Sequence, residues 1–109
     1  MDKILKIADE LTDEFLNSEA YKEYERLIIE IERDAELRQK LESFYRASEA
    51  FEQKKAGGSE YSFDDERILS NKYAELWLNE TAGRFMSVKK ELFNTLEAVR
   101  EKIESKCGL

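Results

Sequence analysis

The side chains that most often perform catalysis are scarce in this sequence. It contains no histidine, so the commonest general base and the usual activator of a serine or cysteine nucleophile are absent. Carboxylates cluster at residues 9–10, 13–14 and 64–66, where oxygen ligands could bind a hard cation. Solvated helix surface and acidic first helical turns explain these clusters better. We therefore expect no catalytic residue, no metal ligand set and no enzymatic activity.

The single thiol of the sequence belongs to Cys107, close to the end of the chain. A thiolate can ligate a metal or a cluster shared between chains, but one thiolate cannot complete a four-ligand site. We therefore interpret it as an incidental terminal cysteine and expect no cofactor. One cysteine also excludes an internal disulfide and favours a reducing compartment.

The charge balance argues against nucleic acid as the partner. Charged residues make up 39% of the sequence and leave a net charge of −7, which repels a phosphate backbone unless the basic side chains share one face. Basic residues at positions 54–55, 89–90, 100 and 102 would have to converge to form such a face. The aromatic residues could stack on bases, but their helical spacing favours packing in a core or an interface. Direct RNA binding is thus the alternative hypothesis.

Apolar residues recur along the chain at spacings of three and four, the period of an α-helix. The last such stretch, residues 85–103, has charged residues on the opposite face. Two further stretches of the chain repeat this pattern, and the simplest way to bury the three apolar stripes is to pack them against each other. The apolar stripe of the last stretch consists of Phe85, Val88, Leu92, Leu96, Val99 and Ile103.

Capping and turn residues divide this pattern into five helices. Ser18 and Asp34 have side chains suited to capping the start of a helix. Ser62 and Asp65 match the pattern of a reciprocal cap. The glycines at 57–58, followed by Ser59, predict a turn. The predicted helices span residues 2–16, 18–33, 35–56, 63–78 and 81–106 of a single domain, residues 1–109. We expect an all-α antiparallel bundle with long, coiled-coil-like helices. It should be elongated and dimer-forming, since one small chain cannot cover stripes this long.

Four large side chains lie off the main stripes and are candidates for contact with a partner protein. They are Tyr45, Trp77, Leu78 and Phe93. Aromatic side chains dominate the energetics of many interfaces, although a broader core face explains these four residues equally well.

The sequence gives no sign of a membrane protein. No run approaches the roughly 18 apolar residues needed to span a bilayer, and the first residues lack the apolar core of a signal peptide. We therefore expect a cytoplasmic protein without membrane insertion.

Three short patterns are shared with a known family. They are S-E-A-Y-x-x-Y from Ser18, D-A-E-L from Asp34, and L-x-L-N-E-T-A-G-R-F from Leu76. Through these three patterns the chain resembles the YlbF/YheA/YmcA family of small bacterial proteins over nearly its whole length. Family members often have D-P-E-L where this sequence has D-A-E-L, which makes the helix boundary at Asp34 less sharp.

The resemblance implies an all-helical cytoplasmic regulator of Gram-positive bacteria that forms a homodimer or a heterodimer with a paralogue. Some members act with partner proteins as specificity factors for the membrane-bound endoribonuclease RNase Y. They thereby influence messenger RNA processing, competence, sporulation and biofilm formation. Some members are also associated with iron–sulfur clusters held by cysteines shared across a complex, and only Cys107 could correspond.

The leading hypothesis is therefore a non-enzymatic adaptor that acts through protein–protein interaction, with regulatory proteins or the RNase Y machinery as partners. Direct nucleic-acid binding by a basic surface is one alternative. A purely structural dimerisation module is the other.

Overall fold

Five α-helices form nearly all of the described chain. The computed structural model describes residues 1–58 and 62–109, and this part of the chain contains no strand, which confirms the predicted all-α class. No helix within these residues combines the length and the apolar character needed to cross a membrane. The helices are α1 (Asp2–Leu16), α2 (Glu19–Arg33), α3 (Ala35–Ala56), α4 (Phe63–Leu78) and α5 (Glu80–Cys107).

Short polar side chains set the beginnings of three helices. Ser18, Asp34 and Asn79 each precede a helix, and the side-chain oxygen of each accepts a hydrogen bond from the backbone N–H three residues later, at 3.2, 3.1 and 3.0 Å respectively. Each bond satisfies an N–H group that has no partner within the helix. The caps predicted at Ser18 and Asp34 are confirmed. The cap at Asn79 was not predicted, and it places the start of α5 one residue earlier than expected.

The start of α4 has the reciprocal cap that the sequence predicts. Ser62 Oγ accepts a hydrogen bond from Asp65 N, and Asp65 Oδ2 accepts one from Ser62 N, both at 3.1 Å. Lys54 Nζ, near the end of α3, lies 3.2 Å from the same carboxylate oxygen. The hydrogen bond from the Ser62 backbone, followed by that from Lys54, holds the pKa of Asp65 below its ordinary value.

Removing the Asp65 charge is expected to change how stability depends on pH. Because the pKa is lowered in the folded chain, the stabilisation is present above about pH 4, the ordinary pKa of an aspartate, and is lost as the pH falls through the folded-state value. In thermal melts, the difference in midpoint between the wild type and Asp65→Asn should be largest near neutral pH and should shrink below about pH 4. Glu66→Gln, in the same turn but outside the cap, is the control. If Glu66→Gln changed the melting midpoint by the same amount and with the same pH dependence, the stabilisation could not be assigned to the Asp65 carboxylate.

The backbone divides into two compact units. Unit 1 comprises Met1–Ile28 and Phe85–Leu109, and unit 2 comprises Ile29–Arg84. Unit 1 thus contains α1, the first part of α2 and most of α5, while unit 2 contains α3 and α4. That the five helices form a single domain, residues 1–109, stays a prediction.

Unit 2 is built around an antiparallel pair, α3 and α4. The turn after α3 includes Gly58, whose φ of +71° is a left-handed conformation that favours glycine. Ser59, the third residue of the predicted turn, lies outside the described residues. Lys40 of α3 lies 3.3 Å from Glu75 of α4 and 3.6 Å from Glu36. A hydrogen bond to Glu75 and the charges of both carboxylates raise the pKa of Lys40. The buried leucines of this pair are Leu37, Leu41 and Leu76.

In unit 1 the apolar stripe of α5 is covered over only part of its length. Phe85, Val88 and Leu92 are buried, and the Phe85 ring stacks on Tyr24 of α2 with 5.5 Å between the ring centroids. Farther along α5 the stripe opens, since Leu96 is exposed, as is Ile103. Burial of the stripes against one another within the chain therefore stops short of the second half of α5, as expected for stripes too long for one small chain to cover. It does not extend to α1 either, in which no residue is buried.

Candidate protein-binding groove

Helix α1 presents an apolar stripe to solvent. Ile4, Ile7 and Leu11 follow one another at helical spacing, and they are 64%, 54% and 48% exposed. Charged residues occupy the opposite face of the same helix. An amphipathic helix gains most of its stability from packing its apolar face, and α1 has nothing buried within the chain. Its apolar face is therefore available to another surface.

An apolar groove of about 600 Å³ lies between α1 and α5 within unit 1. Charged side chains, among them Glu14, Glu19 and Glu91, lie at its rim. The apolar side chains that line it are Leu11, Phe15, Ala20, Leu92, Leu96 and Val99.

The chemistry of the groove suits a protein surface better than a small molecule. Small-molecule sites combine apolar walls with a few convergent polar groups that orient the ligand. No polar or charged residue is buried in the described part of the chain, and the three hydroxyl groups that line the groove, those of Thr12, Ser18 and Thr95, already donate to backbone carbonyl groups three or four residues earlier. Apolar walls with a charged rim are the anatomy of a protein–protein interface. The groove thus provides what a helix from another protein chain would require.

The four residues predicted to contact a partner are all exposed, but they fall into both units. Phe93 lies in unit 1, on α5 beside the open part of its stripe. Tyr45 and Trp77 lie in unit 2, at the two ends of a series of four aromatic rings that continues through Phe44 and Tyr73, with centroids 5.6 to 5.9 Å apart. Leu78 is almost fully exposed at the end of α4. A role for these residues in partner contact stays a prediction.

The basic residues of the nucleic-acid hypothesis are distributed over both units. Residues 54–55 belong to unit 2, whereas residues 89–90, 100 and 102 belong to unit 1. Several of them have partners within the chain: Lys54 pairs with Asp65, Lys89 lies over the Phe85 ring, and Arg100 pairs with carboxylates of α5. Their convergence on one surface is a prediction of the alternative hypothesis.

Cys107 is the last residue of α5, and its side chain is exposed. Within residues 1–58 and 62–109, no three His, Cys, Asp or Glu side chains are arranged to hold a metal ion. A lone thiolate does not fit the four-cysteine ligand set of an iron–sulfur cluster. Any such cluster would need its other ligands from other chains.

The open stripe of α1 contains none of the four residues predicted to contact a partner. Those four residues lie off the stripes, and a stripe at helical spacing is usually core. One feature of the sequence indicates that part of a stripe stays open: the apolar stripes together are longer than one small chain can cover. That feature does not identify the segment left uncovered, since Leu11 and Leu92 occupy equivalent positions in their respective patterns.

Two solved structures of Bacillus proteins have the same fold as this chain. A Bacillus stearothermophilus protein of unknown function (DUF964) superposes with a TM-score of 0.89 at 16% sequence identity, over 97% of this chain and 93% of that one. Bacillus subtilis RicA, solved in complex with RicF, superposes with a TM-score of 0.65 at 23% identity, over 97% of this chain and 94% of that one. At these identities the likeness establishes the fold alone.

The sequence comparison identifies the family. No protein with a curated function matches the chain. A family model described as "Control of competence regulator ComK, YlbF/YmcA" matches residues 4–106, nearly the entire chain. The resemblance inferred from the short sequence patterns is thereby confirmed, and the chain belongs to the YlbF/YmcA family, which controls the competence regulator ComK.

Proposed function

We propose that this chain is a non-enzymatic adaptor that regulates gene expression by binding other proteins through the groove of unit 1. The observation that supports this most directly is α1, a 15-residue amphipathic helix with no buried residue. Leaving such a stripe in water forgoes about 25 cal/mol for each Å² of apolar surface, and a protein partner would recover that free energy.

The family and its fold support a protein partner. The family is named for the control of a competence regulator, and RicA, which shares the fold, was solved as a complex with another protein, RicF. We therefore propose that this chain also works in a dimeric or larger complex in the cytoplasm. Its subunits would be two copies of this chain, or this chain and a paralogue.

The proposed target of this regulation is messenger RNA processing by RNase Y, as the resemblance to the wider family implies. In this hypothesis the adaptor does not cleave RNA and instead directs the endoribonuclease toward particular transcripts. Competence, sporulation and biofilm formation would follow from the altered processing. The absence of histidine from the sequence agrees with a role in which the partner supplies the chemistry.

Deleting the gene in the bacterium that encodes this chain tests the proposal. We expect RNase Y cleavage ends to diminish at a subset of transcripts, precursor RNAs to accumulate and competence to fall, with restoration by the wild-type gene. Unchanged cleavage ends across the transcriptome would overturn the link to RNase Y. Retention of RNA by the purified chain, with a steep dependence on salt, would instead favour direct nucleic-acid binding.

A further inference from the structure

We propose that the aromatic series of unit 2, the rings of Tyr45, Phe44, Tyr73 and Trp77, binds a basic, arginine-bearing segment of a partner protein. Cations of that segment would lie over the exposed rings and would pair with carboxylates on the same side of the helix pair. This inference goes beyond the proposed function, which assigns partner binding to the groove of unit 1. It adds a second binding surface and the chemistry of the partner that this surface fits.

The rings of the aromatic series contact one another and are still reached by solvent. Successive ring centroids lie 5.6, 5.6 and 5.9 Å apart, and Tyr45, Tyr73 and Trp77 are 38%, 45% and 42% exposed. Trp77 also packs closely against Gly83 of α5, where a Cβ would lie 3.5 Å from the indole ring. Rings that are already held by their neighbours lose little conformational entropy when a partner binds to them.

Two rings of the aromatic series are suited to binding a cation from outside the chain. An aromatic ring attracts a cation placed within about 6 Å of its centroid, and tryptophan does so most strongly. Lysines take such positions at 5.5 Å over Phe51 and at 5.8 Å over Phe85. Among residues 1–58 and 62–109, however, no cation lies over the ring of Tyr73 or Trp77. Their exposed faces are therefore available to a cation of another chain.

Two carboxylates lie on the same side of the helix pair as the rings. Glu52 follows Tyr45 by seven residues in α3, which places it on the same helix face, about 10 Å farther along the axis. Glu66 precedes Tyr73 by seven residues in α4, with the same result. Because α3 and α4 are antiparallel, both carboxylates lie toward the turn that joins the two helices.

The charges around the aromatic series complement a basic partner. Within the described part of the chain, neither Glu52 nor Glu66 forms an ion pair. Of the neighbouring basic side chains, Lys55 lies over a phenylalanine ring, and Arg67 is 3.4 Å from Asp64. The net charge of −7 attracts a basic segment at longer range. Arginine is the cation that fits best, because its guanidinium group both stacks on rings and pairs with carboxylates.

The fluorescence of Trp77 tests the proposal at the site itself, because it is the only tryptophan of the sequence. The intact chain is titrated at low ionic strength with the synthetic peptide acetyl-GRSGRSGRSG-amide. In an extended peptide, arginines three residues apart are separated by about 10 Å, as the rings are from the carboxylates. We expect a saturable change in Trp77 emission that weakens at about 0.5 M salt. The same peptide with glutamine in place of arginine should leave the emission unchanged.

Substitutions of Tyr73 test the role of the ring. Tyr73→Phe retains the ring and should bind the arginine peptide as the wild type does. Tyr73→Leu retains most of the apolar volume without a ring and should weaken binding by about two- to fivefold. Circular dichroism verifies that both variants retain their helices. Equal affinities of the two variants would overturn the binding of a cation by this ring.

A matched pair of double variants tests the carboxylates. Glu52→Gln with Glu66→Gln should weaken binding of the arginine peptide by roughly 2- to 10-fold, because two exposed ion pairs are lost. Asp13→Asn with Glu101→Gln changes the net charge by the same amount, on the faces of α1 and α5 opposite their stripes. This control should bind the peptide as the wild type does. Equal weakening by the two double variants would indicate a general attraction to an acidic chain and would overturn the site.

Other occupants of the surface give different results. Equal binding of the arginine and glutamine peptides would overturn a basic partner in favour of an uncharged one. A change in Trp77 emission with single-stranded oligouridylate, but not with the arginine peptide, would overturn it in favour of stacked RNA bases. An emission that neither peptide changes would overturn the surface as a binding site.

The inference and the proposed function can fail separately. Leu11→Glu alters the groove of unit 1 and should still bind the arginine peptide as the wild type does. Loss of peptide binding in this variant would place the binding in unit 1 and would overturn the inference. A gene deletion that leaves RNA processing unchanged would overturn the proposed function, whereas binding of the arginine peptide at Trp77 would still support the second surface.

Discussion

Replacing Leu11 with glutamate is expected to abolish self-association and regulatory activity while leaving the fold intact. Leu11 lines the groove and is about half exposed within one chain, so the substitution should cost the isolated chain little. In the complex, however, the new carboxylate would be buried among apolar side chains without a partner. An unpaired buried charge costs several kcal/mol, which corresponds to a loss of affinity of more than about 100-fold.

The matched control is Lys6→Gln on the same helix. It changes the net charge by the same amount as Leu11→Glu, but its side chain lies on the face opposite the stripe. We expect Lys6→Gln to associate and to restore competence as the wild type does, whereas Leu11→Glu does neither. Equal effects of the two substitutions, or a Leu11→Glu variant that associates normally, would show that the groove is not the binding surface.

Truncating Leu76 to alanine is expected to give the largest loss of stability. Leu76 of α4 is 2% exposed and is the largest fully buried side chain in the described part of the chain. Removing its buried methyl groups should lower the free energy of unfolding by roughly 2 to 5 kcal/mol. That is a large share of the total of about 5 to 15 kcal/mol expected for a domain of this size, and urea denaturation measures it.

Leu78→Ala is the control for this experiment. It is the same substitution two residues later in α4, at a side chain that is 88% exposed. We expect the free energy of unfolding to change by no more than about 0.5 kcal/mol. Because Leu78 is a predicted partner contact, a loss of binding without a loss of stability would give it that role. Comparable destabilisation by both substitutions would contradict the assigned core.

The helices and most of their boundaries could be predicted from the sequence because they depend on local interactions. The side chains of Ser18 and Asp34 act on backbone groups three residues away, so the information lies in adjacent sequence. The reciprocal cap at Ser62 and Asp65 is equally local. Asn79 has the same chemistry and caps α5, although its cap was not predicted.

The binding surface could not be predicted because it depends on how the helices are arranged in space. Leu92 and Leu96 belong to one stripe with one spacing, yet the structure buries the first and exposes the second. The period of a pattern specifies which face of a helix is apolar but not where along that face a neighbour ends.

The aromatic series in unit 2 illustrates the same limit. Tyr45 and Trp77 were chosen separately, each because it lies off a stripe. The antiparallel pairing of α3 with α4 brings them into one series of contacting rings through Phe44 and Tyr73. Sequence spacing within a single helix contains no information about such contacts between helices.

The molecular mass of the wild-type chain in solution is the most direct test of the proposal that two copies of this chain associate through the groove of unit 1. Sedimentation equilibrium across a range of micromolar concentrations should give twice the 12.8 kDa of one chain, with dissociation on dilution. A mass of 12.8 kDa at every concentration would leave the stripe of α1 uncovered and would contradict it.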